Sequence, residues 1–477
     1  MPAPWPGSSS SSSWPSPPGC SEPKRSGCTM ISSAKALLGR IGLAAMFLFV
    51  VGFWTVPALK AKAAPKTRKQ VRFWHMWTAE WKDVVDKIVA RFNESQTEYQ
   101  VVALSVPATG ADSKFLLGVM GGDPPDVMAQ WNPVIPVWAD NGLITPLDDL
   151  MSPEEKRIFE EQAYPVVKKV GKYKDKLYGM SIGINMSALY YLPDDFKRAG
   201  IDPNVALKSL EGLDAAAPKL DRLEKDGGIK RVGWMPKGFA AFAQIFGGGL
   251  YDSKAEKVTL DTEPNRHALQ YLVDSRKRLG YDKVVRFESG LNTASFAAGW
   301  PFMGGAYSVT VDGQWRVEQL RKYAPNLKYL TAPVPPPKGG RTHSGMSGGN
   351  FMIVPRGAKE SRGAWDFIKF WSGLTNPERA AEFYTMGGWL PLTPAIANAK
   401  AYRDYIKKYP QFKTFVDLMD STTVDVLPPV PYQTFLNDEI SKMEDSAVRG
   451  TLSPNVALAG LEQKVQAELT RRRSLGE

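Results

Sequence analysis

Cysteine and histidine are the residues that this chain of 477 residues has least of. Its two cysteines, Cys20 and Cys28, both lie near the amino terminus, so the rest of the chain can form neither a disulfide nor a thiolate metal site. The three histidines, His75, His267 and His343, lie far apart and show no H-x-x-x-H spacing. We therefore expect neither a catalytic zinc nor any other cofactor.

The chain also lacks the motifs of the common nucleotide-dependent enzymes. It contains no Walker loop and no G-x-G-x-x-G dinucleotide turn. One G-x-S-x-G pattern, at residues 345–349, follows a proline- and glycine-rich loop and precedes a strand-like stretch. A nucleophilic serine of this kind needs a strand before it and a helix after it, so the pattern does not indicate a hydrolase.

Charge of one sign is not concentrated anywhere except at the three arginines of residues 471–473. The net charge is +11, but the first 64 residues contribute six basic side chains against one acidic side chain, Glu22. Nucleic-acid-binding proteins gather their basic side chains in a patch or a stripe, so we expect no nucleic-acid partner. The 43% of hydrophobic and 23% of charged residues are typical of a globular protein with two or three domains.

The first 64 residues have the composition of a leader. Residues 1–29 are rich in proline, serine and glycine and cannot bury a core, so we predict a disordered low-complexity extension. In residues 30–64, the basic residues Lys35 and Arg40 precede an apolar run over 41–59, which is followed by the sequence Ala-Lys-Ala at 61–63. This order predicts a signal peptide, or an amino-terminal membrane anchor if it is not cleaved. Either form would place the body of the protein in the periplasm or outside the cell.

The body alternates between strand and helix patterns. Residues 70–74 and 99–106 are strand-like, and residues 79–95 between them carry apolar side chains at helical spacing. A strand, a helix and a strand of these lengths predict a βαβ unit and hence a parallel sheet. Further helix starts are marked by Ser152-Pro153, which begins a capping box, and by Asn376-Pro377. The fold class is therefore predicted to be α/β.

Aromatic residues beside glycine turns and strand ends are the most informative feature. Trp77 follows the first strand, Trp131 and Asn132 follow the strand that starts at 126–128, and Trp389 follows two glycines. In open α/β sheets, ligands bind beyond the carboxyl ends of the strands. Aromatic rings can cover the apolar faces of sugars, while amide, carboxylate and amine groups bind the hydroxyls. Each ring taken alone is equally consistent with a place in the core.

Several motifs occur in an order that is typical of one family. They are VRFWHMWT at 71–78, GGDPPDV at 121–127, WADNGLITPLD at 138–148, KLYGM at 176–180 with ALYYL at 188–192, FAAG at 296–299 with MGGAY at 303–307, and GGN at 348–350 with AWDFI at 364–368. With these motifs the chain resembles the extracellular solute-binding proteins of ABC transporters, in the carbohydrate-binding group similar to the maltose-binding protein. The resemblance covers nearly all of residues 69–470.

This resemblance implies an α/β fold of two lobes, with a hinge that the chain crosses more than once and a ligand cleft between the lobes. Lobe 1 would comprise residues 69–180 and 343–395, and lobe 2 residues 181–342 and 396–470. Ligand would shift the population toward a closed form, which would deliver it to the membrane permease. The resemblance thus implies a monomeric binding protein that is not an enzyme, with a carbohydrate and the permease subunits as partners.

The resemblance also implies which residues line the cleft. They are Trp77, Glu80, Trp131, Asn132, Trp234, Lys237, Tyr307, Asn350, Trp389 and Tyr432. The rings would stack on pyranose rings and the polar members would bind hydroxyls. Three departures from the family pattern are Asn at 350 in place of an aromatic residue, Leu at 192 in place of Asn, and a Lys/Leu-rich segment at 206–224 in place of a Trp-containing motif. The first bears on which sugar is bound.

Other functions stay open at this point. Within transport, the cargo could be a polyamine, a phosphodiester or iron. An exported polysaccharide-processing enzyme would need two carboxylates at roughly 5–10 Å across a cleft, which spacing in the sequence cannot reveal. A membrane-anchored ligand sensor would follow if the apolar run at 41–59 were not cleaved.

Overall fold

The computed structural model describes residues 68–106, 110–131, 134–252, 254–255, 257–291 and 297–475, without the side chains of Ala79, Glu80, Trp131, Ala297 and Arg473. The predicted extension at 1–29 and the predicted signal peptide or anchor at 30–64 lie outside these residues. Of the helices described, none combines the length and the apolar character needed to cross a membrane.

The strands are numbered in chain order through the described residues. They are β1 Lys69–His75, β2 Tyr99–Ser105, β3 Val127–Trp131, β4 Ile144–Thr145, β5 Lys172–Tyr173, β6 Lys176–Leu177, β7 Gly179–Asn185, β8 Ser187–Tyr191, β9 Arg222–Leu223, β10 Ile229–Arg231, β11 Tyr251–Asp252, β12 Lys257–Val258, β13 Val309–Gly313, β14 Leu330–Ala332, β15 Gly345–Pro355 and β16 Val424–Val426.

The α-helices are numbered in the same way. They are α1 Ala79–Ser95, α2 Ala111–Met120, α3 Ile135–Asp140, α4 Pro153–Gln162, α5 Pro165–Lys169, α6 Pro193–Ala199, α7 Pro203–Ala206, α8 Leu210–Leu220, α9 Phe239–Ile245, α10 Glu263–Leu279, α11 Tyr281–Gly290, α12 Trp315–Tyr323, α13 Ser361–Ser372, α14 Pro377–Gly387, α15 Pro394–Ala397, α16 Lys400–Lys408, α17 Lys413–Leu418, α18 Gln433–Val448 and α19 Pro454–Leu475.

The largest sheet has the strand order β16-β15-β3-β1-β2, and β4 and β7 also pair with β15. Strand β1 is parallel to both β2 and β3, which confirms the predicted βαβ unit. The long strand β15 runs antiparallel to β3 and β7. The sheet is therefore mixed: pairing is parallel among β1, β2 and β3 and between β15 and β16, and antiparallel where β15 meets β3, β4 and β7. The side chains of Val71 and Phe73 are fully buried in the core beside it.

Local sequence signals place several elements accurately. The strands β1 and β2 and the helix α1 confirm the predictions for 70–74, 99–106 and 79–95. The predicted capping box is present at α4, where Ser152 and Glu155 each accept a hydrogen bond from the other's backbone N–H. These signals succeed because they depend on neighbours in the sequence rather than on the rest of the fold.

A second, smaller sheet consists of β13, β8 and β14, with β8 antiparallel to both neighbours. Helices from two distant parts of the chain pack beside it and form a second hydrophobic core. Its fully or almost fully buried members include Phe196, Leu213, Phe242, Leu272, Leu436 and Leu458. Helices α18 and α19, with Val430 and Tyr432 just before them, thus close a core whose other buried members lie before position 335.

The chain passes between the two cores at three places. Strand β7 continues into β8 through Met186, β15 begins beside the second core and extends into the large sheet, and β16 pairs with the start of β15. These crossings agree with the predicted hinge. The exact lobe boundaries stay predictions, and Tyr402 and Phe412, from the segment assigned to lobe 2, belong to the larger core.

Candidate functional site

Strand register brings two of the predicted residues together at the carboxyl end of β3 in the large sheet. In the antiparallel pairing of β15 with β3, Asn350 lies opposite Trp131. On its other side, Asn350 lies opposite Gly183 of β7. Asn350 is partly exposed, whereas the side chain of Trp131 is among those that the structure does not describe. Glu80 and Asn132, which are also predicted ligand contacts, have no described side chains either.

Trp77 and Trp389 lie beside this row of strands, with ring centroids 5.7 Å apart. Both rings also contact Trp371, at 5.7 Å from Trp77 and 5.6 Å from Trp389. The side chain of Trp389 lies against the backbone of Gly183, where an added Cβ would be 3.2 Å from the indole ring. Trp77 is 8% exposed and Trp389 is 4% exposed. The structure thus brings the two rings to the predicted edge, largely covered by other side chains.

The predicted residues of the other lobe lie in two places. Trp234 is 1% exposed in the second core, where its indole N–H donates to the hydroxyl of Tyr271 at 2.9 Å. Tyr432 is 5% exposed and belongs to the same core. Lys237 is exposed and forms an ion pair with Glu288 of α11. Trp234 and Tyr432 are therefore held within the core, and Lys237 is open to solvent.

Tyr307 packs against the same helix as Lys237. Its ring meets that of Phe287 edge to face, with centroids 5.6 Å apart. Tyr307 is 8% exposed, and burial raises the pKa of its hydroxyl, with a smaller contribution in the same direction from the charge of Glu288. Tyr307 therefore stays protonated at physiological pH and can donate a hydrogen bond. As ligand contacts, all ten residues stay predictions.

Gln314, at the carboxyl end of β13, joins the two cores at the first crossing. Its side-chain oxygen accepts from the backbone N–H of Met186 at 3.0 Å, and its amide donates to the backbone oxygen of Ile184 at 3.1 Å. The amide is also 3.2 Å from the side-chain oxygen of Asn185. Because Gln314 is 1% exposed, breaking these bonds would leave buried polar groups without partners. This residue fixes the geometry of the crossing.

The next residue, Trp315, is an aromatic side chain at the crossing that our sequence analysis missed. It is partly exposed, and its ring lies over the backbone of Gly313, where a Cβ would come within 1.9 Å of the ring. Only glycine at 313 leaves the space for this arrangement. The signal is present in the sequence, since Trp315 follows a valine-rich strand, as Trp77 follows the first strand, and comes shortly after a glycine, as Trp389 does. The motif MGGAY at 303–307 ends in Tyr307, and this aromatic residue directs the prediction away from Trp315.

Polar side chains surround the start of α2, which faces the strands β1 and β3. Gln130 of β3 donates a hydrogen bond to the carboxylate of Asp112, and burial raises the pKa of that carboxyl. The ammonium of Lys114 lies 4.6 Å from the ring centroid of Trp74. Gln130 directly precedes Trp131, which lies opposite Asn350, so the Gln130–Asp112 hydrogen bond lies next to that pair along β3.

The serine of the G-x-S-x-G pattern has a structural role. Ser347 lies within β15, and its hydroxyl donates to the backbone oxygen of Asn185 at 2.9 Å. It therefore ties β15 to β7 at the crossing, and the strand around it is not the strand–turn–helix of a nucleophilic serine.

Comparison with known proteins places this geometry in a family. The model of the bacterial extracellular solute-binding proteins matches residues 87–414, more than half of the chain. Among curated relatives, the sn-glycerol-3-phosphate-binding periplasmic protein UgpB of Escherichia coli K12 is 24% identical over 385 residues, which cover 76% of this chain and 82% of UgpB. These relatives are binding proteins.

Solved structures with the same fold include sugar-binding proteins. The mannotriose-bound protein CpMnBP1 is 26% identical, with a TM-score of 0.71 over 83% of this chain and 99% of its own. The sugar-binding protein MalE from Xanthomonas citri is 21% identical, with a TM-score of 0.69 over 85% of this chain and 99% of its own. The α/β fold is therefore that of the two-lobed periplasmic binding proteins, and the chain belongs to the bacterial extracellular solute-binding protein family.

Proposed function

We propose that this solute-binding subunit of an ABC importer captures a sugar or an oligosaccharide between its two lobes and delivers it to the membrane permease. CpMnBP1, which binds mannotriose and mannobiose, is 26% identical, and the match covers 99% of CpMnBP1 and 83% of this chain. Aromatic and hydrogen-bonding side chains near the strand ends provide the two kinds of contact that sugars need.

The observation that carries this proposal is the partly exposed indole of Trp315 at the crossing between the cores. Its ring rests on the backbone of Gly313, so it is held in one orientation before any ligand arrives. A ring held in this way can stack on a pyranose without losing further conformational freedom. Trp131 and Asn350, which pair across β3 and β15, would supply contacts from the other lobe.

Contacts between elements of the two cores support a mechanism of closure. Gln244 of α9, a helix of the second core, donates to Asp425 of β16 at 3.1 Å, and the neighbouring Val424 belongs to the larger core. A ligand that touches both lobes would stabilise the closed form relative to the open form, because only the closed form offers both sets of contacts. The permease would then receive the closed, loaded protein.

The finer features of this function are also our proposals. The protein acts as a monomer, catalyses no reaction on its ligand and has no nucleic-acid partner. The leader at 30–64 directs export as a signal peptide, with an uncleaved anchor and a sensor role as the alternative. The family and its relatives, which are binding proteins, support these proposals.

A ligand screen tests the proposal. The protein is heated with mannobiose, mannotriose, maltose and maltotriose, and with sn-glycerol 3-phosphate and spermidine as other cargo classes. A true ligand raises the melting temperature by mass action, and we expect this for one set of sugars. Chromatography of the sugar after incubation should reveal no product. Shifts with the amine alone would contradict the sugar assignment, and hydrolysis of a sugar would contradict the binding role.

The variant Trp315→Ala locates the site. Loss of a stacked ring should weaken sugar binding about tenfold or more in calorimetry. Tyr323→Ala serves as the matched control, because Tyr323 ends the same helix and is 37% exposed. Equal affinity of wild type and Trp315→Ala would remove Trp315 from the site.

A second candidate cargo is a phosphorylated polyol. It is favoured by the curated relatives, which bind sn-glycerol 3-phosphate and are covered over 82% of their length. A shift with sn-glycerol 3-phosphate and none with the sugars would select this candidate.

A further inference from the structure

A cavity of about 380 Å³ opens at the end of the second sheet that is farther from the crossing between the cores. It is lined by Asp195, Arg198, Ala199, Lys219, Leu220 and Arg222. Asp195 belongs to α6, which follows the last residue of β8, whereas the crossing precedes the first residue of that strand. The cavity is therefore separated from the proposed sugar site by the length of β8.

One buried carboxylate lies at the base of the cavity. Asp195 is 5% exposed, and its two oxygens lie 2.7 Å and 2.5 Å from Nη1 of Arg231. The hydroxyl of Ser308 donates to the same carboxylate at 2.6 Å, and Arg198 forms a further ion pair with it. Arg231 is itself fixed by a bond from its Nε to the backbone oxygen of Gly305 at 2.6 Å. Asp195 is thus fully satisfied by groups of the protein.

Positive charge remains in excess around this carboxylate. The guanidinium of Arg222 lies 3.9 Å from Asp195, and it makes no hydrogen bond to another side chain or carbonyl within the described residues. Lys219 has no ion-pair partner in that part of the chain. The side chains of Arg198 and Arg222 are 52% and 40% exposed, so their remaining N–H groups are open to a ligand.

The nearby acidic groups do not neutralise this excess. Asp194 is exposed beside Asp195. Asp221 is engaged elsewhere, since it accepts from the backbone N–H of Gly233 at 2.7 Å and pairs with Arg278. The pKa of Arg198 is lowered, first by desolvation and then by the positive charges of Arg222 and Arg231, and the opposing charge of Asp194 offsets only part of this effect. The guanidinium groups therefore repel one another, and a bound anion would relieve this repulsion.

We propose that this cavity binds a phosphate-type oxyanion, either inorganic phosphate or a phosphate monoester, at a site separate from the interlobe cleft. Arginine presents N–H groups in a planar fork that matches the oxygens of phosphate, and such charge-assisted bonds are among the stronger hydrogen bonds in proteins. Arg198, Lys219 and Arg222 line the cavity together with Asp195, whose carboxylate is already bound by Arg231 and Ser308. The cavity is larger than one phosphate group, so it also has room for the organic part of a monoester.

Calorimetric titration with inorganic phosphate at pH 7.5 and low salt tests the site. The test variant is Arg198→Gln combined with Arg222→Gln, and its affinity should fall about tenfold or more because two charged donors are lost. Asp195 keeps Arg231 and Ser308 in this variant, so the fold should persist, which circular dichroism checks. The matched control is Lys400→Gln combined with Lys407→Gln, whose side chains are 81% and 79% exposed on α16.

Each outcome decides the proposal. A loss of affinity in the arginine variant, with the lysine control unchanged, supports the site. Undetectable binding to the wild type, equal affinity in the arginine variant, or an equal loss in the lysine control would overturn it. Binding in the interlobe cleft would leave the arginine variant unaffected, so it would also overturn this proposal without touching the sugar assignment. Repeating the titration with glucose 6-phosphate distinguishes the two sources of phosphate. A higher affinity for glucose 6-phosphate than for inorganic phosphate indicates a monoester as the ligand, and a lower affinity indicates inorganic phosphate.

Discussion

The two cores of this molecule treat their tryptophans differently. In the larger core, Trp371 is stacked on Trp77 and contacts Trp389, and its indole N–H has no hydrogen-bond partner within the described residues. In the second core, the N–H of Trp234 donates to Tyr271, whose hydroxyl donates to Asp214. The first arrangement depends on ring packing and the second on a chain of hydrogen bonds. A buried tryptophan can therefore stabilise a core through ring packing alone or through ring packing together with a hydrogen bond from its indole N–H.

A titratable group in each core shows the same contrast: His75 in the larger core is surrounded by aromatic rings, and Asp214 in the second core accepts a hydrogen bond. His75 lies in the aromatic cluster of the larger core, 2% exposed and without a hydrogen bond of good geometry in the described part of the chain. Burial lowers its pKa to about 4. Burial raises the pKa of Asp214 in the second core to about 6, against the opposing effect of its bond from Tyr271. Lowering the pH should therefore destabilise the larger core, where His75 is buried uncharged, and should remove the unfavourable buried charge of Asp214 in the second core.

The largest effect is expected from truncating the packed ring. Trp371→Ala removes a fully buried side chain that contacts Phe73, Trp77 and Trp389, and it should lower the free energy of unfolding by about 3–5 kcal/mol. Urea unfolding followed by circular dichroism measures this change. Trp315→Ala, at a partly exposed position, is the control and should cost less than about 1 kcal/mol. Equal losses in both variants would contradict the distinction between a core ring and a surface ring.

The next effect is the acid sensitivity that His75 confers. The folded protein binds this proton less tightly than the unfolded chain, whose histidine has its ordinary pKa of 6.5. Stability should therefore fall as the pH falls below about 6.5, by about 2 kcal/mol between pH 7.5 and pH 5. The variant His75→Phe, which cannot titrate, should lose this part of the pH dependence. Parallel stability curves for wild type and variant would mean that folding does not lower the pKa of His75.

A third comparison separates packing from hydrogen bonding in the two indoles. Both Trp234→Phe and Trp371→Phe remove the same atoms from fully buried positions. Only Trp234→Phe also removes the donor that Tyr271 accepts, so it should cost about 1–2 kcal/mol more free energy of unfolding than Trp371→Phe. If the two variants unfold at the same urea concentration, the hydrogen bond of Trp234 contributes nothing measurable.

The smallest effect is expected at Asp214. Its raised pKa means that stability is highest when the carboxyl is protonated and is lost as the pH rises from about 4 to about 6. Asp214→Asn keeps an oxygen that can accept from Tyr271 but carries no charge, so it should stabilise the protein by about 1 kcal/mol at pH 8. Thermal unfolding at pH 8 and pH 4 measures this, with no gain expected at pH 4. A destabilised variant at pH 8 would contradict the unfavourable charge.

Local pattern was sufficient for the elements that begin the large sheet. The bounds of α1 agree with the apolar spacing of 79–95, and the capping box of α4 agrees with Ser152 and Glu155. It was insufficient for β15, which inserts between β3 and β7 after a separation of more than 150 residues. Nothing near residue 345 specifies that partner, because strand pairing of this kind depends on contacts distant in the sequence.

The predicted site residues show the same distinction between what local sequence predicts and what depends on distant contacts. A ring after a strand or a glycine turn describes Trp77, Trp389 and Trp315 equally well in the sequence, yet the structure covers the first two and leaves the third partly exposed. Exposure depends on what other segments pack against a ring, and Trp371 comes from a helix almost 300 residues after Trp77. The cluster of Asp195, Arg222 and Arg231 likewise forms only when strands bring separate segments together.

The sequence by itself determined the α/β class, the first βαβ unit and the order of motifs that indicates an extracellular solute-binding protein. These depend on side-chain periodicity and on short-range capping, which act within one or two turns of the chain. The fold was needed to see that β15 makes the sheet mixed, that Trp315 is a partly exposed ring at the crossing, and that an arginine-lined cavity lies at the far end of the second sheet. The reason is physical: burial, pairing and the sum of neighbouring charges are properties of segments that meet only after the chain has folded.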